Sequence, residues 1–319
     1  MKKTRYALLF LALFALAVPA AAEPGNGDDT LSFLVIGDWG MHGSRTQRRV
    51  AAAMDAVAAA SRIDFIISTG DNFYPAGVAS KDDPLWRRAY EEVYDLPNLR
   101  HLTWYVTLGN HDYLGDVDAE LDYARDHPRW HLPRTYYQYT TPGSPPLVQL
   151  FFLDTNGFIN GYHARPDRYR HIKRAAAADQ LSWLRRQLAQ SRATWKIVVG
   201  HHPVYSSGRH HGDTPELRRL LPPLFAEYGV QAYFAGHDHD LEYYRPPGAT
   251  AYIISGGGAG HRTVTPRRDS RFAAASAGFV HVSLDPGRMT LRYLDDKGRE
   301  LYSATMKPGA PAADLPDDT

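Results

Sequence analysis

The chain has 319 residues, carries 36 Lys+Arg against 35 Asp+Glu for a formal net charge of +1, and is 44% hydrophobic. So even a balance, without a basic stripe, argues against a nucleic-acid partner. The absence of cysteine excludes a thiol nucleophile, a thiolate metal site, a lipid-modified cysteine anchor and any disulfide.

The chain opens with Lys2, Lys3 and Arg5 before the apolar run Ala7 to Val18, and Ala20-Ala21-Ala22 follows with small residues. This is the pattern of a secretory signal spanning residues 1–22, with an apolar part too short for a membrane span. Its removal takes away three positive charges and changes the formal charge from +1 to −2. The expectation is an exported protein, periplasmic or secreted, with no stable membrane insertion after cleavage. A short linker over 23–30 would lead into one catalytic domain over 31–307, and the tail over 308–319 has too few large apolar residues to pack.

Apolar, β-rich runs then recur: Leu31 to Ile36, Phe65 to Ser68, Trp104 to Leu108, Leu147 to Leu153, Lys196 to Val199, Ala232 to Ala235 and Tyr252 to Ser255. They read as buried strands. Between them lie amphipathic helix candidates at Thr46 to Ala60, Leu85 to Tyr94, Asp179 to Gln190 and Pro215 to Tyr228. Ser44 with Gln47 and Thr214 with Pro215 supply helix start signals. Phe279 to Leu284 and Met289 to Leu294 alternate around Asp285-Pro286-Gly287 as a hairpin, with a further short strand starting at Leu301. Strands alternating with helices define an α/β fold, and Thr155 to Arg174 is its longest irregular segment, on the side where active-site loops project.

Five polar blocks stand where apolar runs end: Gly37-Asp38-Trp39-Gly40, Gly70-Asp71-Asn72-Phe73-Tyr74, Gly109-Asn110-His111-Asp112, Gly200-His201-His202-Pro203 and Gly236-His237-Asp238-His239. Singly each reads as a turn or a polar loop. Together they carry the donors for two metal ions, because α/β folds gather ligands beyond the carboxyl ends of their strands. Asp71 is the natural bridging carboxylate. Oxygens of Asp38, Asp71 and Tyr74 with one imidazole suit a trivalent ion such as ferric iron, and Asn110 with two histidines suits a divalent one.

The order and content of these blocks resemble the purple acid phosphatases of the calcineurin-like metallophosphoesterase superfamily. The likeness runs from about Leu31 to Lys307 and is strongest to the small, single-domain members of the tartrate-resistant type. It implies a β-sandwich flanked by helices in four layers, αββα. It implies a ferric site of Asp38, Asp71, Tyr74 and His239, and a second site for Fe(II), Zn(II) or Mn(II) formed by Asp71, Asn110, His201 and His237. The activity implied is hydrolysis of phosphate monoesters, by direct attack of a metal-bound hydroxide. Asn110, His111, His210 and His211 would contact the substrate, a small phosphate ester, with His111 and His211 catalytic, and with Asp112 expected to fix the tautomer of His111. His211 is favoured as the proton donor, His210 is left either sharing that work or facing solvent, and His202 receives no transferred role.

Other phosphatase chemistries need motifs that this chain lacks: Arg-His-Gly-x-Arg-x-Pro, a cysteine, or Asp-x-Asp-x-Thr. The competing accounts are a phosphodiesterase or nucleotidase on the same dimetal scaffold and, from another class, a phosphate-binding protein.

Overall fold

The computed structural model describes residues 30–248 and 250–309. The expected signal peptide, most of the linker and residues 310–319 of the tail lie outside the described residues.

Among the described residues, fourteen strands form two seven-stranded sheets. The first follows the order β14-β13-β12-β1-β2-β3-β4, with β1 Leu31–Ile36, β2 Phe65–Ser68, β3 Thr103–Val106, β4 Trp130–His131, β12 Gly278–Leu284, β13 Met289–Asp295 and β14 Glu300–Met306. The second follows β11-β9-β10-β8-β7-β6-β5, with β5 Tyr137–Thr140, β6 Val148–Phe152, β7 Trp195–Val199, β8 Ala232–Ala235, β9 Leu241–Tyr244, β10 Ala251–Ser255 and β11 Ser270–Ala274. The helices are α1 Arg45–Ala60, α2 Val117–Asp126, α3 Asn160–His163, α4 Arg174–Gln190 and α5 Pro215–Tyr228. This is the expected α/β sandwich of two mixed sheets with helices on the outside.

Each sheet has a parallel centre, and this positions the site. In the first, Ile36 of β1 pairs with Ser68 of β2, and Ser68 pairs with Val106 of β3, so three parallel strands end flush. In the second, β7 and β8 end together with Val199 opposite Phe234. Burial on both faces explains why these strands read as unbroken apolar runs. The chain beyond those five ends is where the five polar blocks lie.

Local chemistry supports the frame. Ser44 caps α1 by accepting from the Gln47 N–H at 3.2 Å, and the Gln47 carboxamide accepts from the Gly43 N–H at 2.8 Å. Trp39, fully buried, donates from Nε1 to Ser68 Oγ at 2.9 Å and packs edge-on against Phe73, Tyr94, Trp104 and Trp130. The first block is therefore anchored from beneath by an aromatic cluster.

Some expectations need correction. The helix expected over Leu85 to Tyr94 is a π-helical turn, Trp86–Glu91. Its Trp86 stacks flat on Tyr123 of α2 at 3.5 Å, and Trp86, Ala89 and Tyr90 all face inward. Helix α4 begins earlier than Asp179, and the segment after Thr155 contains a 3-10 turn, Thr155–Phe158, followed by α3. Strands β4, β5, β9 and β11 and helix α2 were not anticipated.

Candidate metal centre

Asp38, Asp71 and Tyr74 meet beyond β1 and β2. The Tyr74 hydroxyl lies 2.9 Å from Asp71 Oδ2, 3.2 Å from Asp38 Oδ1 and 3.1 Å from His239 Nε2. Four donors from three separate blocks thus surround one point. The other Asp71 oxygen faces the second group, 3.4 Å from His201 Nε2, which is itself 3.3 Å from Asn110 Oδ1 and 3.1 Å from His237 Nδ1. All seven expected ligands are brought together in two sets, and Asp71 presents one oxygen to each.

Backbone strain marks the same places. Asp38, Asp71 and His237 all hold positive φ, at 58°, 53° and 71°. That region is rare for non-glycine residues and gathers at functional sites. The glycines between the blocks admit close approach: a Cβ at Gly109 would fall 2.2 Å from Asp71 Oδ1. Gly256, in the run after β10, packs equally tightly, since a Cβ there would meet the Asp238 carbonyl at 2.0 Å and Asp38 Oδ2 at 2.9 Å. The end of β10 is therefore closely packed against the site.

The electrostatics test whether the set suits cations. Burial, with the neighbouring Asp71 carboxylate, pushes the Asp38 carboxyl well above its usual range, and burial with both carboxylates pushes the Tyr74 phenol up. Burial drives His201 and His237 down, and burial with the nearby Arg262 lowers His239 to about 3. Every one of these shifts opposes charge, and a bound di- or trivalent cation reverses that logic by favouring carboxylate, phenolate and neutral imidazole. The His201 tautomer is already set: its Nδ1 lies 2.9 Å from the Thr69 carbonyl, which only accepts, so Nε2 keeps the lone pair facing the cluster. The residues present fit a metal pair.

His202 also lies in the cluster, its ligand atom within 4.8 Å of those of His201 and His237. Both its nitrogens are engaged, Nδ1 with Thr155 Oγ1 and Nε2 with the Tyr162 hydroxyl, each at 2.8 Å. It therefore ties the Thr155 to Arg174 segment to the site wall.

His111 differs from expectation. Its Nδ1 lies 2.6 Å from the Pro75 carbonyl, which fixes the proton there and leaves Nε2 without a protein partner among the described residues. Asp112 does not set this tautomer. Fully buried, it accepts from the N–H groups of Gly109, Asn72 and Phe73 at 2.7, 2.8 and 3.1 Å, and so joins the second and third blocks.

His211 stacks on His237 with ring centroids 3.9 Å apart, and exposed His210 touches it edge-on. Arg262 Nη1 lies 3.1 Å from His211 Nε2. A guanidinium can only donate, so Nε2 is the acceptor and the ring proton is on Nδ1. Burial, His210 and Arg262 lower His211 to about 4. The imidazolium expected of a proton donor is not the state that this geometry holds.

Residues that sequence reasoning missed hold the loop that carries these histidines. Asp238 is buried and accepts from Ser206 Oγ at 2.5 Å, His211 N at 3.2 Å and Gly212 N at 3.0 Å. Glu242 accepts from Ser207 N at 2.8 Å and Ser206 Oγ at 3.0 Å. Among the described residues both Asp240 oxygens are buried without a hydrogen-bond partner, and burial and Glu242 push its carboxyl up.

Paired carboxylates, imidazoles and a phenol at the strand ends of an αββα sandwich define a metal-dependent phosphoester hydrolase. The match to known proteins agrees: the calcineurin-like phosphoesterase family model covers residues 31–241. Tartrate-resistant acid phosphatase type 5 of Homo sapiens is 34% identical, over 93% of this chain and 96% of its own length. Purple acid phosphatase 3 of Arabidopsis thaliana is 37% identical over 88% of this chain and 78% of its own. Among solved structures, GAP50, the anchor in the inner membrane complex of Plasmodium, superposes with a TM-score of 0.76 at 28% identity, covering 88% of this chain and 90% of that one. The chain belongs to the calcineurin-like phosphoesterase family, as a phosphoesterase of the purple acid phosphatase type.

Proposed function

We propose that this chain is an exported acid phosphatase that hydrolyses phosphate monoesters at an Fe(III)–M(II) pair, M being Fe, Zn or Mn. The observation that carries this reading is the Tyr74 hydroxyl within 3.2 Å of Asp38, Asp71 and His239. A phenolate beside two carboxylates is a hard, anionic set that suits a trivalent ion, whereas Asn110, His201 and His237 add neutral donors for a divalent one. When bound, such a pair supplies Lewis acidity to the phosphoryl oxygens and lowers the pKa of the attacking water.

The chain's own residues do the rest. Asp71 holds the two sets in register through its separate oxygens. His111, its Nδ1–H given to the Pro75 carbonyl, faces the site with an accepting Nε2, which suits a protonated oxygen of the substrate or of water rather than an anionic phosphoryl oxygen. His211, seated over His237, offers Nδ1–H as a hydrogen bond to the leaving oxygen, in place of the proton transfer first expected. His210 lies beside it at the rim. Export rests on the leader pattern in residues 1–22, and among the described residues no helix is long and apolar enough to cross a membrane.

The discriminating experiment compares p-nitrophenyl phosphate with bis-p-nitrophenyl phosphate on metal-loaded protein. A higher kcat/KM for the monoester is expected. A strong diester preference would replace this reading with a phosphodiesterase on the same scaffold. A metal-loaded chain that binds phosphate and cleaves neither ester would favour a non-catalytic role, for which the Plasmodium relative described as an anchor is the precedent.

A further inference from the structure

Two of the three arginines in the loop between β10 and β11, Arg262 and Arg267, stand in contrasting situations. Arg267 is neutralised, contacting the Asp213 carboxylate and donating to the Tyr244 hydroxyl at 3.0 Å. Asp213 also takes Arg218 at 2.6 Å. Arg262, five residues before Arg267, forms no salt bridge among the described residues. Its side chain donates to His211 Nε2, and its backbone N–H donates to the His239 carbonyl at 2.6 Å. This guanidinium, half-buried between a ligand-bearing block and the His211 ring, has the Asp238 carboxylate within electrostatic reach but not in ion-pair contact.

Its position is built. Gly208 and Val264 form an antiparallel bridge, flanked by Arg209 N to Thr263 O at 3.1 Å and Thr265 N to Ser207 O at 2.8 Å. The histidine loop and the arginine loop are thereby laced into one unit, which Asp238 and Glu242 clamp from below. A guanidinium held by a neutral imidazole gives up that weak contact readily when an anionic phosphoryl oxygen is offered, since the charge-assisted bond is the stronger.

We propose that Arg262 binds one non-esterified oxygen of the substrate phosphoryl group and biases the site toward doubly charged monoesters over singly charged diesters. The inference deepens the monoester reading above and rests on it. A monoester near neutral pH carries about −1.5 to −2 charges and three terminal oxygens, whereas a diester offers one charge and two. With two of those oxygens taken up elsewhere in the site, only the monoester has one left for Arg262. His211 is then partly a positioning residue, holding the guanidinium ready in the empty site.

The test uses the full metal-loaded protein at pH 7 with the substitutions Arg262→Ala, Arg262→Lys and, as a loop control, Arg267→Ala. For Arg262→Ala the monoester kcat/KM should fall roughly tenfold to thirtyfold, mainly through KM, with less than about a threefold change for the diester. Binding of inorganic phosphate, followed calorimetrically, should weaken about tenfold, and Arg262→Lys should recover part of both losses. An unchanged monoester-to-diester ratio, or an equal fall for both substrates, overturns the inference. So does an Arg267→Ala variant with the same selective profile, because loop support would then explain it. The ratio is read relative to wild type, so a wild type that prefers diesters refutes the monoester reading without deciding the role of Arg262.

Discussion

The floor and the roof of this site are made differently. The floor consists of strand-end blocks, in which Asp38, Asp71 and His237 adopt strained backbone and lie buried, with the His237 N–H 2.9 Å from Asp38 Oδ2 and Asp71 Oδ1 3.4 Å from His201 Nε2. The roof consists of two loops, 206–213 and 261–267, buried at Ser206 and Ser207 and exposed at residues 209–211, with no ligand of their own, joined by a short ladder and pinned by Asp238 and Glu242. The floor fixes which chemistry is available, and the roof fixes what is presented to it. Strain is tolerated where surrounding packing over-determines it, and adaptable contacts sit where a substrate enters.

The comparison breaks first at the floor. Asp71→Asn leaves the shape and removes the charge shared by both donor sets, so metal content and activity should collapse together, the latter by at least about 10³-fold. Metal analysis beside ester turnover checks this, and a variant that keeps both metals would show that the two sets are independent. Next comes the aromatic anchor. Trp39→Ala should cost about 3–5 kcal/mol of stability through the cavity it leaves, visible in denaturant unfolding. A cost below about 1 kcal/mol would mean that the first block does not depend on the cluster beneath it.

A milder perturbation sharpens the distinction between floor and roof. Asp238→Ala removes the acceptor for Ser206, His211 N and Gly212 N, and should lower kcat/KM about 10–100-fold while the bound metal stays. Loss of metal in that variant would place Asp238 in the floor.

The smallest effect lies below both, at His281 in β12, whose Nε2 contacts Ser32 Oγ at 2.8 Å. Burial and then Arg292 lower its pKa from 6.5 to about 4. Between those values the unfolded chain binds the proton and the folded chain does not, so stability is complete above 6.5 and declines as pH falls toward 4. The loss should be about 1 kcal/mol at pH 6, and His281→Leu should flatten that slope in unfolding measured from pH 7 to 5.

Much of the floor was legible because its signals are local. Each block follows an apolar run and opens with a glycine, and the limits of β1, β2, β8 and α5 agree with the apolar pattern residue for residue. The roof was not legible, since its bonds join residues far apart: Ser206 to Glu242 spans 36 positions and His211 to Arg262 spans 51. No periodicity announces such pairs. Asp112 misled for the same reason, because adjacency to His111 suggested a partner, while its bonds with Asn72 and Phe73 lie about 40 residues away. Strand β9 was missed because only Asp240 separates Leu241 to Tyr244 from the last block, and α2 because it is only ten residues long and its capping residue Asp116 was not read as a helix start.

The most direct test is the visible absorption spectrum of the purified, iron-supplied protein, taken with its metal content and repeated on Tyr74→Phe. The account predicts a purple preparation holding two metal ions per chain, at least one of them iron, with the charge-transfer band lost in the variant. A colourless wild type that retains no stoichiometric metal after iron and zinc are supplied, or a band that survives in Tyr74→Phe, would contradict it.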